Sequence, residues 1–182
     1  MAKQEKQDAD FLAKQGKSHY RGKKFLPAAE SFQQAAEQYQ ANGKPLLAAE
    51  MRNNQSVALL VAKEPQKALD AVRGTSELFL EAGENTKAGM ALANQATALM
   101  DLGQSEAALE VFTRAGDCFQ SANEGDLYLQ TMQSISSIQF KSRDVMGALF
   151  SMRRGLEGVE KPTWRQKLLK NLLSIPDKLL NG

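Results

Sequence analysis

Apolar and small residues recur along this chain at the spacing of a helix. Within each segment the apolar positions return every three to four residues, whereas a strand would alternate polar and apolar residues. Polar or glycine-bearing stretches such as RGKK at 21–24 and ANGKP at 41–45 separate the segments, as expected where one helix ends and the next begins. The pattern predicts helices near 4–21, 25–41, 45–62, 65–82, 86–102, 105–122, 126–142 and 145–159, and a ninth segment after Pro162.

A second and longer interval is an internal repeat of forty residues. The stretch NQSVALL at 54–60 returns as NQATALM at 94–100. Five rows of residues, alternately small and large, recur in the same register in four units. They are Gly16, Ser56, Ala96 and Ser136; Ala28, Ala68, Ala108 and Ala148; Phe32, Val72, Phe112 and Met152; Ala35, Thr75, Ala115 and Gly155; and Tyr39, Phe79, Phe119 and Val159. Such a period indicates a repeat architecture.

The alternation of small and large rows predicts how the helices pack. Antiparallel helices approach closely where the side chains at their crossing are small, and a large residue in the adjacent row fills the neighbouring groove. We therefore predict an all-α, right-handed superhelical solenoid of about four helix-turn-helix repeats within residues 1–160, approximately at 4–42, 45–82, 86–122 and 126–160. Residues 161–182 are predicted to form a C-terminal capping or amphipathic helix that ends at Pro176. Its apolar side would comprise Trp164, Leu168, Leu169, Leu172 and Ile175.

These rows resemble the tetratricopeptide repeat, here in a forty-residue form. The best matches to its small–large pattern are Gly16, Ala28, Phe32 and Ala35 in the first unit, and Ala96, Leu99, Gly103, Ala108, Phe112 and Ala115 in the third. The chain departs from the family where a leucine is usual, because Gln15, Gln55 and Gln95 occupy that position. The resemblance covers roughly residues 9–160 and implies a protein-binding solenoid.

Composition narrows the class of protein. Apolar residues make up 42% of the chain and charged residues 24%, which is typical of a soluble globular protein. Charges stand where a signal peptide needs an apolar core, and Cys118 has no second cysteine to pair with, so we expect a cytoplasmic protein. The net charge is +2, and a mildly acidic middle between two basic ends is too weak a pattern to imply a nucleic-acid ligand, for which a basic face would be expected.

Catalysis is not predicted. His19 and Cys118 are the only candidates for a nucleophile–base pair, and they fall in the first and third units, too far apart to meet. No cysteine and histidine cluster has the spacing of a zinc site, and no phosphate-binding glycine motif occurs. We therefore predict no enzyme activity, no cofactor and no metal site.

The inner surface of the solenoid is the predicted binding site, because the first helix of each unit should line it. The candidate residues are Lys14, Lys17 and Arg21 in the first unit, Asn53 and Asn54 in the second, Asn94, Thr97 and Asp101 in the third, and Gln133, Ser134 and Lys141 in the fourth. The same spacing adds Asp10, Ala13, Val57, Ala93 and Ser137.

Two asparagines, Asn54 and Asn94, occupy equivalent places in this row. An asparagine side chain both donates and accepts, so it can pair with a peptide bond whatever the sequence. The resemblance implies this ligand-holding role; the alternative is that each asparagine bonds the adjacent helix. We predict an adaptor whose concave groove binds a peptide or helix of another protein. Two alternatives stay open: a membrane-peripheral module that uses the basic C-terminal helix, and homotypic assembly.

Overall fold

The computed structural model describes residues 8–173, which form ten helices joined by short turns. In chain order they are α1 (Ala9–Arg21), α2 (Phe25–Ala41), α3 (Pro45–Val61), α4 (Pro65–Val72), α5 (Thr75–Glu81), α6 (Asn85–Asp101), α7 (Ser105–Ser121), α8 (Gly125–Lys141), α9 (Val145–Glu157) and α10 (Trp164–Leu173). Residues 8–173 contain no strand, and the predicted all-α solenoid is confirmed. Pro45 and Pro65 lie in the first turns of their helices, where the missing N–H of proline costs no helical hydrogen bond.

One predicted helix is divided in two. The expectation of a continuous helix over 65–82 is wrong at Arg73 and Gly74, where α4 ends and α5 begins. Arg73 has an extended ψ of 125°, and Gly74 has a φ of +76°, a left-handed conformation that glycine adopts without steric cost. The Thr75 hydroxyl donates to the Val72 carbonyl across the break at 2.8 Å. The glycine therefore turns the chain within what the periodicity presents as one helix.

The turns repeat in the same register as the side chains. Each turn within a helix pair has one residue with positive φ, and these are Lys23, Lys63, Gly103 and Arg143. Each turn between pairs has another, and these are Gly43, Gly83 and Asn123. Both series advance by forty residues, so the interval seen in the sequence is also present in the backbone.

The small rows are buried where helices cross, as predicted. Ala28, Ala68 and Ala108 have no exposed surface, and Phe32 and Phe112 are buried beside them. A Cβ atom added to Gly16 would lie 2.7 Å from ring carbons of Phe32, so the ring occupies the space that the missing side chain leaves. The other rows are buried in the first three units, whereas Met152 and Val159 of the fourth are only half-buried. Packing is therefore loosest at the C-terminal end.

Polar side chains tie neighbouring units together. The Lys87 ammonium of α6 donates to the Glu50 carboxylate of α3 at 2.6 Å, and this hydrogen bond raises the pKa of Lys87. The Thr86 hydroxyl donates to the Glu124 carboxylate at 3.2 Å, which links the third unit to the fourth.

The C-terminal helix α10 contacts α9, but none of its residues is buried. Trp164, Leu168, Leu169 and Leu172 are all exposed. The predicted burial of this apolar side against the fourth unit is therefore not observed, and Ile175 and Pro176 lie outside the described residues.

Candidate binding groove

The first helices of the units line two adjacent depressions, which together we call the groove. The first depression, of about 430 Å³, lies between α1 and α3. It is lined by Lys17, Tyr20, Arg21, Phe32, Asn54 and Val57. Its lining surface is mainly apolar, and two of its lining residues, Lys17 and Arg21, are cationic. Such a depression suits an apolar side chain with a neighbouring acidic group.

The second depression, of about 390 Å³, extends across α3, α6 and α8. The predicted residues that line it are Asn53, Asn54, Asn94, Thr97 and Ser134, together with Val57 and Ala93. Asn54 and Val57 line both depressions, so the two adjoin at these residues. The sequence spacing thus brings seven predicted residues from three units onto one surface.

The two equivalent asparagines have different surroundings. The Asn94 amide donates to the Asn53 side-chain carbonyl at 2.7 Å, from the third unit to the second. One forty-residue step earlier, Ala13 stands where Asn53 stands, and an alanine offers Asn54 no side-chain acceptor. Within residues 8–173 the half-buried Asn54 side chain makes no hydrogen bond to protein. The helix-bonding alternative therefore applies to Asn94, and Asn54 keeps its full hydrogen-bonding capacity.

The paired asparagines also keep capacity for a ligand. An asparagine has two N–H donors and a carbonyl acceptor, and the bond between Asn53 and Asn94 uses one donor and one acceptor. The side-chain carbonyl of Asn94 and the side-chain N–H groups of Asn53 are not used in this bond and can pair with a ligand. Thr97 and Ser134, by contrast, donate their hydroxyls to the carbonyls of Ala93 and Gln130 on their own helices, at 2.8 and 3.2 Å.

Five predicted groove residues line neither depression. They are exposed on the first helices of their units, and they are Lys14, Asp101, Gln133, Ser137 and Lys141. One further expectation is wrong, because Ala13 is buried in the core. Asp10 is exposed on α1 and accepts a hydrogen bond from the Tyr39 hydroxyl of α2. That hydrogen bond, together with burial, raises the pKa of Tyr39 to about 12. Asp10 thus holds two helices of the first unit together.

Sequence reasoning missed the aromatic residues of the groove. Phe32, Phe112 and Phe119 come from second helices and were assigned only to packing rows, yet each also lines a depression. Tyr20 and Met90 add apolar surface from first helices. The packing rows carried no separate signal for this, because Phe32, Phe112 and Phe119 are buried in the core and line the depressions from there.

The groove carries no arrangement suited to covalent chemistry in the part of the chain described. His19 lies on α1 and Cys118 on α7, and burial raises the pKa of the Cys118 thiol, which favours its unreactive protonated form. Among residues 8–173, no three His, Cys, Asp or Glu side chains gather closely enough to hold a metal ion. Over the same residues, no helix combines the length and apolar character needed to cross a bilayer.

Comparisons with known proteins agree with the repeat architecture. No curated protein matches the chain in sequence. The crystal structure of aspartyl phosphate phosphatase F from Bacillus subtilis is similar, with a TM-score of 0.77 and 21% identity. The match covers 94% of this chain and 46% of that one, so the chain spans about half the length of that protein. At this identity the similarity concerns the fold alone.

The family comparison is more specific. The model of the soluble NSF attachment protein family, SNAP, matches residues 2–153, which include all four helix pairs except the end of α9. This match, with the similar solved structure, confirms the predicted tetratricopeptide-like repeat fold. The chain belongs to the soluble NSF attachment protein family.

Proposed function

We propose that the groove binds a peptide or helical segment of another protein. The chain is a protein-interaction adaptor, as its sequence predicts and its family confirms. The proposal concerns the place and manner of binding. Its principal support is the position of Asn54, a half-buried amide that makes no hydrogen bond to protein within residues 8–173 and that lies where the two depressions adjoin.

The surroundings of Asn54 favour an extended or helical ligand. The Asn54 amide can hydrogen-bond a peptide group from both its carbonyl and its N–H, and the paired Asn53 and Asn94 offer a second such point. Apolar side chains of the ligand would enter the depressions beside Phe32 and Phe112. Backbone groups would thus supply much of the affinity, and the depressions would supply the specificity.

The first depression favours an acidic residue in the ligand. Lys17 and Arg21 lie one helical turn apart on α1, and the Arg21 Nε donates to the Lys17 carbonyl at 3.3 Å. A carboxylate beside the apolar side chain that fills this depression would meet both cations. We expect this charge pair to contribute mainly to the rate of association and to specificity.

The proposal also covers the repeat type, the absence of catalysis, the class of ligand and the cellular compartment. We propose a forty-residue variant of the tetratricopeptide repeat, with no catalytic activity and no nucleic-acid ligand, in a cytoplasmic protein. The word phosphatase in the name of the similar Bacillus subtilis structure describes that protein, and 21% identity carries no activity to this chain. The family name describes attachment to NSF. For this chain we propose a protein partner recognised through the groove.

Site-specific photo-crosslinking tests the place of binding. A photoreactive amino acid is introduced at Lys17 or at Ser134, one in each depression, and at exposed Glu110 on α7 as the matched control. The proteins are irradiated in extract of the native source, and the crosslinked peptides are identified by mass spectrometry. We expect the same partner segment at Lys17 and Ser134 but not at Glu110. Crosslinks to one segment mainly from Glu110 would contradict the proposal.

A further inference from the structure

The C-terminal end of the solenoid bears large apolar side chains that the protein leaves exposed. We call Met146, Phe150, Trp164, Leu168 and Leu172 the C-terminal apolar surface. The exposed fractions are 73% for Met146, 55% for Phe150 and 70% for Trp164, and Leu168 and Leu172 are each 53% exposed. The first two lie on α9 and the other three on α10. Several large apolar side chains left exposed on two contacting helices are typical of an interaction surface.

The internal repeat shows that the α9 part of this surface is particular to the fourth unit. The positions equivalent to Phe150 hold acids in every other unit, namely Glu30, Asp70 and Glu110, and all three are exposed. The positions equivalent to Met146 hold Leu26, Gln66 and Glu106, also exposed. This exposed position is acidic in the first three units and aromatic in the fourth. Packing within the solenoid therefore gives no reason for this phenylalanine.

Helix α10 is amphipathic and basic. Trp164, Leu168 and Leu172 are four residues apart and share a face, whereas Lys170 lies on the opposite side and Lys167 flanks the apolar face. Residues 161–173 contain four Lys or Arg and no Asp or Glu. The Arg165 guanidinium lies 5.3 Å from the centre of the Trp164 ring, so a cation also accompanies the apolar face. The Arg153 guanidinium lies 5.6 Å from the Phe150 ring on α9.

The charges around the C-terminal apolar surface distinguish between two possible partners, a second copy of the chain and a lipid surface. Two copies meeting here would bring like charges together, which opposes self-association. An anionic lipid surface suits both the apolar and the basic side chains, because the apolar side chains enter the interface while lysine and arginine face the headgroups. Tryptophan is favoured at that boundary, since its ring is apolar and its N–H is polar. The family match ends at residue 153, so α10 lies beyond the stretch the family shares.

We propose that the C-terminal apolar surface docks on an anionic membrane, with α10 lying in the plane of the interface. The groove stays open to solvent in this arrangement, so a protein ligand and a membrane can be held at the same time. Lipid binding does not depend on the function proposed for the groove, because the two surfaces share no residue.

The chain contains a built-in probe of this docking, since Trp164 is its only tryptophan. The full-length protein is mixed with vesicles of phosphatidylcholine alone or of phosphatidylcholine with phosphatidylserine. With the anionic vesicles we expect a blue shift of the tryptophan emission and quenching by brominated acyl chains. Both effects should weaken as salt is raised, because ions screen the attraction. No shift with anionic vesicles at low salt, or an equal shift with neutral vesicles, would overturn the proposal.

Variants of α9 and α10 identify the side chains that carry lipid docking. L168D/L172D and K167Q/K170Q should each reduce co-sedimentation with anionic vesicles at least tenfold. Phe150→Glu, which restores the acid of the other units, should reduce it severalfold. K24Q/K44Q, which removes two exposed lysines outside both the groove and the C-terminal apolar surface, is the matched control and should bind vesicles normally. Unchanged binding by the α10 variants would overturn the assignment, and circular dichroism verifies that each variant is folded.

The same experiments would also reveal whether the C-terminal apolar surface binds a second copy of the chain or another protein. A dimer in sedimentation analysis without lipid, abolished by L168D/L172D, would assign the surface to a second copy and overturn the membrane proposal. A blue shift with an acidic amphipathic peptide, but none with anionic vesicles, would assign it to a protein partner and overturn it as well.

Discussion

The second and third units place an asparagine at the same register position, yet the two side chains have different partners. Asn94 is bonded to Asn53 of the preceding unit at 2.7 Å, whereas Asn54 faces the position of Ala13 and has no side-chain partner there. The role of a residue in a repeat protein therefore depends on its own position in the repeat and on the residue that the adjacent unit places beside it. The same amide supports the solenoid in one unit and is available to a ligand in the previous one.

The two units also differ in their turns and second helices. Lys63 has a φ of 62° where the third unit has Gly103 with a φ of 78°. The second helix of the second unit is broken at Gly74, whereas α7 runs unbroken over seventeen residues. The third unit is thus the more regular of the two. Substitutions at equivalent positions of the two units should therefore change stability by different amounts.

The largest effect is expected from overpacking a helix crossing. Ala68 and Ala108 have no exposed surface, so a phenylalanine at either would force its neighbours apart. We expect Ala108→Phe to lower the free energy of unfolding by roughly 1–3 kcal/mol or more. Ala68→Phe should cost less than Ala108→Phe, since the broken helix can shift. Urea unfolding gives both values. The neighbouring exposed Ala107→Phe is the control, and an equal loss there would argue against the packing rows.

A smaller effect is expected from exchanging the turn residues. A side chain in the left-handed region costs about 1–2 kcal/mol, and a Cβ atom at Gly103 would meet no other atom. Gly103→Lys should therefore lower the melting temperature through backbone strain alone, and Lys63→Gly should raise it. Differential scanning calorimetry measures both shifts. Changes of the same sign in the two variants would contradict the matched turn geometry.

The smallest stability effect is expected at the asparagines. Asn94→Ala removes the bond to Asn53 and should cost about 0.5–1.5 kcal/mol of unfolding free energy. Within residues 8–173 the Asn54 side chain makes no hydrogen bond to protein, so Asn54→Ala should leave stability nearly unchanged. Chemical denaturation of the two variants side by side measures the difference. Equal losses would show that Asn54 also supports the fold.

Much of the fold could be predicted because its determinants are periodic. The row of Ala28, Ala68 and Ala108 is visible in the sequence and buried in the structure. The break at Gly74 could not be predicted from periodicity, because the apolar pattern continues through it and a single glycine is compatible with a helix at modest cost. The exposure of Trp164 could not be predicted either, since an apolar helical face is equally suited to covering a core and to meeting another surface.

The candidate site was predictable in position but not in contacts. Helical spacing places Asn54, Thr97 and Ser134 on the inner surface, and they line the groove. Asp10 fits the same spacing, yet it is held by Tyr39 from the adjacent helix. Such side-chain contacts depend on the distance between helices, which a period of forty residues does not specify.

The most direct test of the groove proposal is the affinity of Asn54→Ala for the partner segment identified by crosslinking, measured by titration calorimetry together with the melting temperature. We predict that the variant loses about 1–3 kcal/mol of binding, roughly ten- to hundredfold in Kd, at an unchanged melting temperature. Binding equal to that of the unmodified chain would contradict the central claim. A fall in melting temperature with unchanged affinity would assign Asn54 to the fold.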